Sequence, residues 1–141
     1  MDKRIEEAFS RTKKLQRPIL LFGRTMDASE VSTHLRQLVS DANFYSLDCR
    51  TSVPDADTIQ KAFTAALKNH GTLFVSIGEQ WPSDLAPALT AVLSEGRLPG
   101  TKSEQAKGWL VMAANVRRLD ELPIDLREFF PVCIEVQNEA H

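Results

Sequence analysis

Apolar positions along this chain fall into two alternating patterns. Short runs at residues 19–22, 44–47, 73–75, 109–114 and 132–136 have the length of strands, and those without polar interruption suit strands buried on both faces of a parallel sheet. Between the runs, apolar residues recur at three- and four-residue spacing, which lines up one face of a helix. Residues 2–15 carry Ile5, Ala8, Phe9 and Leu15 in that register, with Lys3, Arg4, Arg11, Lys13 and Lys14 forming a solvated basic face. Residues 28–40 bury Val31, Leu35, Leu38 and Val39, with His34 at the border of the stripe, and residues 57–69 align Ile59, Ala62, Phe63, Ala66 and Leu67. A fourth helix places Leu85, Leu89, Val92 and Leu93 on one buried face, with Ser83 to cap its start and Gly96 to end it in the left-handed conformation. Alternating strands and helices predict an α/β domain of three layers around a five-stranded parallel sheet.

The turn after the first strand is where candidate chemistry would lie. In a strand–loop–helix unit the backbone N–H groups of the loop and the helix N-terminus face an anion. Gly23 to Glu30, GRTMDASE, occupies that place. A working phosphate loop needs glycines for close approach and a Lys followed by Ser or Thr. Here Met26 and Ala28 would crowd the loop and Ser29 brings no charge. The segment equally reads as a plain turn in which Asp27 caps the helix and Glu30 completes a capping box.

Composition narrows the classes. A chain of 141 residues, 43% hydrophobic and 26% charged, suits one globular domain spanning residues 1–141. Nineteen acidic and seventeen basic side chains leave a net charge of -2, so no charge argument for direct nucleic-acid binding exists. Apolar runs stop at about six residues, against the ~20 a membrane span requires. With no apolar signal core after Met1 and only Cys49 and Cys133 as thiols, a reduced, cytoplasmic protein is expected. The scattered Cys49, Cys133, His34, His70 and His141 offer no metal-ligand spacing, so no metal is expected. Trp81, beside a turn, either caps the core or anchors an interface.

Residues 71–100, GTLFVSIGEQWPSDLAPALTAVLSEGRLPG, resemble the Walker B segment and following helix of the AAA+ domain in sigma-54-dependent transcription activators. Gly71, Thr72, Leu73, Phe74, Pro82, Asp84, Leu85, Leu89, Val92, Leu93, Glu95 and Gly96 match that family without a gap. The family's magnesium-binding Asp and catalytic Glu are replaced by Ser76 and Ile77. Aligned on Gly23, its phosphate loop becomes Gly23, Arg24, Thr25, Met26, Asp27, Ala28, Ser29 and Glu30, keeping only the first glycine and the last glutamate. The sensor asparagine becomes Val116, with Asn115 one residue away. The two arginine-finger positions fall on Pro123 and Phe129, with Arg127 close but out of register. Lys61 to Ala66, KAFTAA, looks like the loop by which the family contacts sigma-54. It lacks that loop's glycines and lies in phase with an apolar helix face, so Phe63 is expected in the core.

The resemblance covers about residues 2–136. It implies the AAA+ strand order 5-1-4-3-2, with neither the helical lid nor a helix-turn-helix within the chain. It further implies a catalytically inactive AAA+ domain that regulates transcription through protein contacts. Its partners would be AAA+ subunits, a transcription regulator or further copies of itself, and no cofactor is expected. Two alternatives stand beside this reading: a divergent ATP- or ADP-binding protein using the loop at Gly23, and a fragment of a larger DNA-binding regulator.

Overall fold

The computed structural model describes residues 3–23, 26–39, 44–50, 52–68, 70–78, 82–101, 104–122 and 124–136, with the backbone alone for Arg4, Leu119, Asp125 and Leu126. Helix α1 (Lys3–Leu15) leads into β1 (Ile19–Phe22), followed by α2 (Ala28–Val39), β2 (Phe44–Cys49), α3 (Ala56–Leu67) and β3 (Gly71–Ile77). Then come α4 (Leu85–Leu89), a π-helical turn (Thr90–Ser94), β4 (Gly108–Ala114), a 3-10 turn (Leu119–Glu121), α5 (Ile124–Glu128) and β5 (Val132–Glu135). All strand pairs are parallel, in the order β2-β3-β4-β1-β5. This is the expected 5-1-4-3-2 order, read from the opposite edge.

The period-2 alternation of strand side chains divides the core in two. On one face Leu73, Val75 and Ile77 of β3 and Leu110 and Met112 of β4 pack under α3 and α4, against Ile59, Phe63, Leu85 and Leu89. On the other, Phe74, Trp109 and Val111 pack under α1 and α2, against Ile5, Phe9, Val31 and Leu35. Every residue of β3 is buried, as a central strand covered on both faces must be. Phe63 is fully buried, so the KAFTAA segment is core helix.

Helix ends and stripe edges depart from the sequence pattern at Leu15, Leu38 and Ser83. Leu15 and Leu38, assigned above to buried stripes, are exposed at 57% and 37%. In α1 the inward position goes instead to Thr12, whose hydroxyl is satisfied locally by donating to the Ala8 carbonyl at 2.7 Å. Trp109 is held between the edge of the Phe9 ring and the Arg17 carbonyl, to which its indole N–H donates at 3.0 Å. Ser83 does not cap α4. Asp84 occupies the N-cap without a side-chain bond, because both residues lie in the preceding turn.

Beyond Leu89 the helix widens. The Glu95 N–H donates to the Thr90 carbonyl, five residues back, which defines a π turn. A wider turn rotates the following residues out of the α-helical stripe. Leu85 and Leu89 are consequently buried, whereas Val92 and Leu93 lie half-buried at the stripe's edge. Gly96 then ends the segment at φ +68°, the left-handed geometry that glycine adopts without a Cβ penalty.

Candidate functional site

In open parallel sheets ligands bind beyond the carboxyl ends of the strands, and the chain brings its candidate residues together there. The Gly23 N–H donates to the Ala114 carbonyl at 3.2 Å, and the Asn115 N–H donates to the Ile77 carbonyl at 3.1 Å. The ends of β1, β4 and β3 are thereby laced side by side. Gly23, Asn115 and Ile77 thus lie at adjoining strand ends, with Ser76 one residue back along β3. Arg24, Thr25, Trp81 and Pro123 lie outside the described residues.

What the site contains differs from a phosphate cradle. Gly23 does keep a backbone approach close, but to the chain itself. A Cβ at this position would stand 2.2 Å from the Val136 carbonyl oxygen, while the Val136 N–H donates to the Phe22 carbonyl at 2.7 Å. The glycine thus lets the segment after β5 close against the end of β1. Met26 is buried in the core shared with Val136 and Val31. Its carbonyl accepts a 2.7 Å hydrogen bond from the Asn115 side-chain amide. Asn115, next to the sensor position, therefore anchors the loop.

The helix N-terminus behind the loop is also occupied. Asp27 Oδ1 accepts from the Ser29 and Glu30 N–H groups at 3.0 and 3.3 Å, as the capping expectation required. These donors are the ones an anion would otherwise use. The side chains of Ser29 and Glu30 themselves are exposed in the first turn of α2.

At the Walker B-like positions Ile77 is wholly buried in the core and Ser76 is 2% exposed. Across the β2–β3 register Ser76 sits opposite Asp48, and its hydroxyl donates to Asp48 Oδ1 at 3.3 Å. Arg50 clamps the same carboxylate through Nε and Nη2 at 3.0 and 3.1 Å. Those side-chain hydrogen bonds hold the Asp48 carboxyl down at about 2, and the guanidinium is raised in turn, with Asp27 also contributing to its field. The carboxylate absent from β3 has a neighbour on β2 that is neutralised by an arginine. Residue-by-residue comparison with the family missed this trio. The visible signal was an acid and a base two residues apart at a strand end, where i and i+2 share a face.

The remaining candidates are structural. Val116 is buried with Leu122 and Phe130, so the sensor position belongs to the core. Phe129 packs at the edge of the same cluster. His34 closes the α1–α2 layer through a 2.7 Å contact from Nε2 to Glu6 Oε1. Burial, with the Asp48 charge adding to it, pushes the Cys49 thiol up to about 11, and burial also raises Cys133; both are poor nucleophiles. Among the described residues no three potential metal-ligating side chains come together. No described helix is long and apolar enough to cross a membrane.

No protein-family model and no curated protein matches the chain. Solved structures do. Two mutants of Thermotoga maritima RuvB superimpose with TM-scores of 0.70 at 14% identity, covering 96% and 95% of this chain and 44% of theirs. A third RuvB mutant gives 0.68 at 12% identity, covering 95% of this chain and 43% of its own. The chain spans less than half the length of these RuvB structures, and at such identity the likeness is one of fold. With its five parallel strands in the order β2-β3-β4-β1-β5 between helical layers, the chain has the AAA+ P-loop α/β fold.

Proposed function

We propose that this domain keeps the AAA+ framework without phosphoryl transfer and acts through protein contacts, in the manner of a catalytically inactive sigma-54-activator-type regulator in the cytoplasm. The AAA+ fold alone leans toward nucleotide hydrolysis, so the reading rests on the site. One observation carries it. Among the described residues at the end of β1, the chain's own groups bond to one another: the Val136 carbonyl lies against Gly23, Met26 is buried, and the Asn115 amide donates to the Met26 carbonyl. Phosphoryl transfer further needs a metal carboxylate and positioned cations. Ser76 and Ile77 replace the former, and the nearby Asp48 is already paired with Arg50. Partners in this reading are AAA+ subunits, a transcription regulator or a second copy, bound on surfaces of the kind AAA+ domains use in assembly.

The alternative of a divergent nucleotide sensor loses support because Asp27 already takes the N–H groups of Ser29 and Glu30. Calorimetric titration with ATP and magnesium separates the two. No saturable heat and no thermal shift at millimolar nucleotide is the expected result. A clear isotherm would make the protein a nucleotide sensor, and turnover of ATP would end the inactive reading.

A further inference from the structure

A cavity lies at the opposite end of the sheet from Gly23, by the amino ends of β1 and β4, with a volume of about 250 Å³. Its wall is formed by Leu67 at the end of α3, Leu110 of β4, and Val92 and Leu93 of the π turn. Three local features keep it open. The π turn sets Val92 and Leu93 at the edge of the core rather than within it, and single π turns occur often at functional sites. Gly108 places no side chain in the floor, where a Cβ would meet the Gly71 carbonyl at 2.6 Å and Leu67 at 2.7 Å. Finally, the segment leading back to β4 is fixed around the cavity. The Ala106 N–H donates to the Gly96 carbonyl, and the His70 N–H donates to the Lys107 carbonyl.

Among the described residues lining the cavity, Gln16 carries the polar side chain. Gln16, which also borders the cavity, stands at φ +52° and His70 at φ +60°. A non-glycine residue in this left-handed region is uncommon and worth a physical reason. The two are joined, with Gln16 Nε2 lying 3.2 Å from His70 Nδ1. Which of the two donates follows the His70 tautomer, and the amide's other polar atom is left for a ligand.

We propose that this cavity binds an uncharged amphiphile with a compact apolar body and one hydrogen-bonding head, the body against Leu67, Leu110, Val92 and Leu93 and the head at the Gln16 amide. Size and charge set the class. An enclosed apolar cavity of ~150 Å³ takes benzene; this one is larger but half open and presents backbone polar groups as well as leucine side chains, leaving room for a body of about ten heavy atoms. No charged side chain lines the cavity among the described residues, so an ionised ligand would lose its hydration without a partner. The site is independent of the strand ends beyond Gly23 and of any nucleotide chemistry there.

Indole is a suitable probe, being a nine-atom bicycle with one N–H, and indole-3-acetate is the charged control. Titrated into the 15N-labelled protein, indole is expected to shift the Leu93, Ala106 and Gly108 amides saturably, leaving Gly23 and Ala114 unmoved. Indole-3-acetate is expected to bind at least tenfold more weakly. Ala106→Phe fills the cavity from its rim and is expected to weaken indole binding at least tenfold. Gln16→Asn withdraws the amide while keeping a residue that tolerates the left-handed region, and is expected to weaken it severalfold. Absence of saturable shifts in the native protein overturns the proposal, as does unchanged affinity in a folded Ala106→Phe protein. Should that variant not fold, Gln16→Asn, on the exposed mouth, decides in its place.

Discussion

At the end of β1 the nearest approach is between backbones, and that distinguishes Gly23 from a ligand-binding glycine. Gly23→Ala would drive a Cβ into the Val136 carbonyl, a backbone atom that cannot rotate away. Overpacking of this kind costs about 1–3 kcal/mol, to be read as a lower urea midpoint at unchanged slope; a neutral result would show that the segment after β5 is not clasped to β1. Asp48 offers a second test at this scale. Its folded value of about 2 lies below the ordinary 3.8, so its contribution to stability is complete above pH 3.8 and fades as pH falls toward 2. The Asp48 side chain is 44% exposed, and solvent screening keeps that contribution to about 0.2–1 kcal/mol. In Arg50→Met the Asp48 carboxyl is expected to titrate back toward 3.8 by NMR. A value still near 2 would assign the shift to the backbone and Ser76 hydrogen bonds instead.

Among the elements, α3 carries the sharpest contrast between resemblance and packing. KAFTAA looks like a partner-contacting loop, yet Phe63 is fully buried against Leu73, Val75 and Leu89 in the core of that face. Phe63→Ala should cost about 3–5 kcal/mol in urea unfolding, whereas an exposed loop phenylalanine would change stability by less than about 0.5 kcal/mol. The helix after β3 gives the converse lesson. Leu85, Leu89, Val92 and Leu93 fit one α-helical stripe perfectly well on paper, and periodicity alone says nothing of the π turn that turns the last two toward a cavity. Hydrogen-bond register inside a helix depends on how its end is held. Here Arg97 and Ala106, bonded to Ala91 and Gly96, hold it.

For the whole molecule, burial runs from the middle of the sheet outward. β3 is buried throughout, while β5 is half-buried and β2 alternates between buried and exposed positions. Local opening follows such gradients. Hydrogen exchange should therefore be slowest at Val75, Ser76, Val111 and Met112, and faster at Val132 to Glu135; a β5 protected as strongly as β3 would contradict this ordering. The two ends of the sheet also differ in kind. At the carboxyl ends, among the described residues, Asn115 bonds to the Met26 carbonyl, Ser76 to Asp48, and the Val136 carbonyl lies against Gly23. At the amino ends a cavity stays open, walled by Leu67, Leu93 and Leu110 with the Gln16 amide at its mouth.

Sequence periodicity was enough for the alternating elements and the core face of α3, because strand and helix periods are local; the order of strands in the sheet came from the family resemblance and not from the pattern. The resemblance added the expectation that Ser76 and Ile77 stand where that family has its acidic pair. What fills those positions was decided in three dimensions. Val136 reaches Gly23 from the far end of the chain, Asn115 reaches Met26 across 89 residues, and Ser76 reaches Asp48 across 28. The edge of each stripe was also decided there, since Leu15 and Leu38 keep the helical period but lie beyond the area the sheet covers. A pattern along the chain records which way a side chain turns. Only packing shows whether anything lies in that direction.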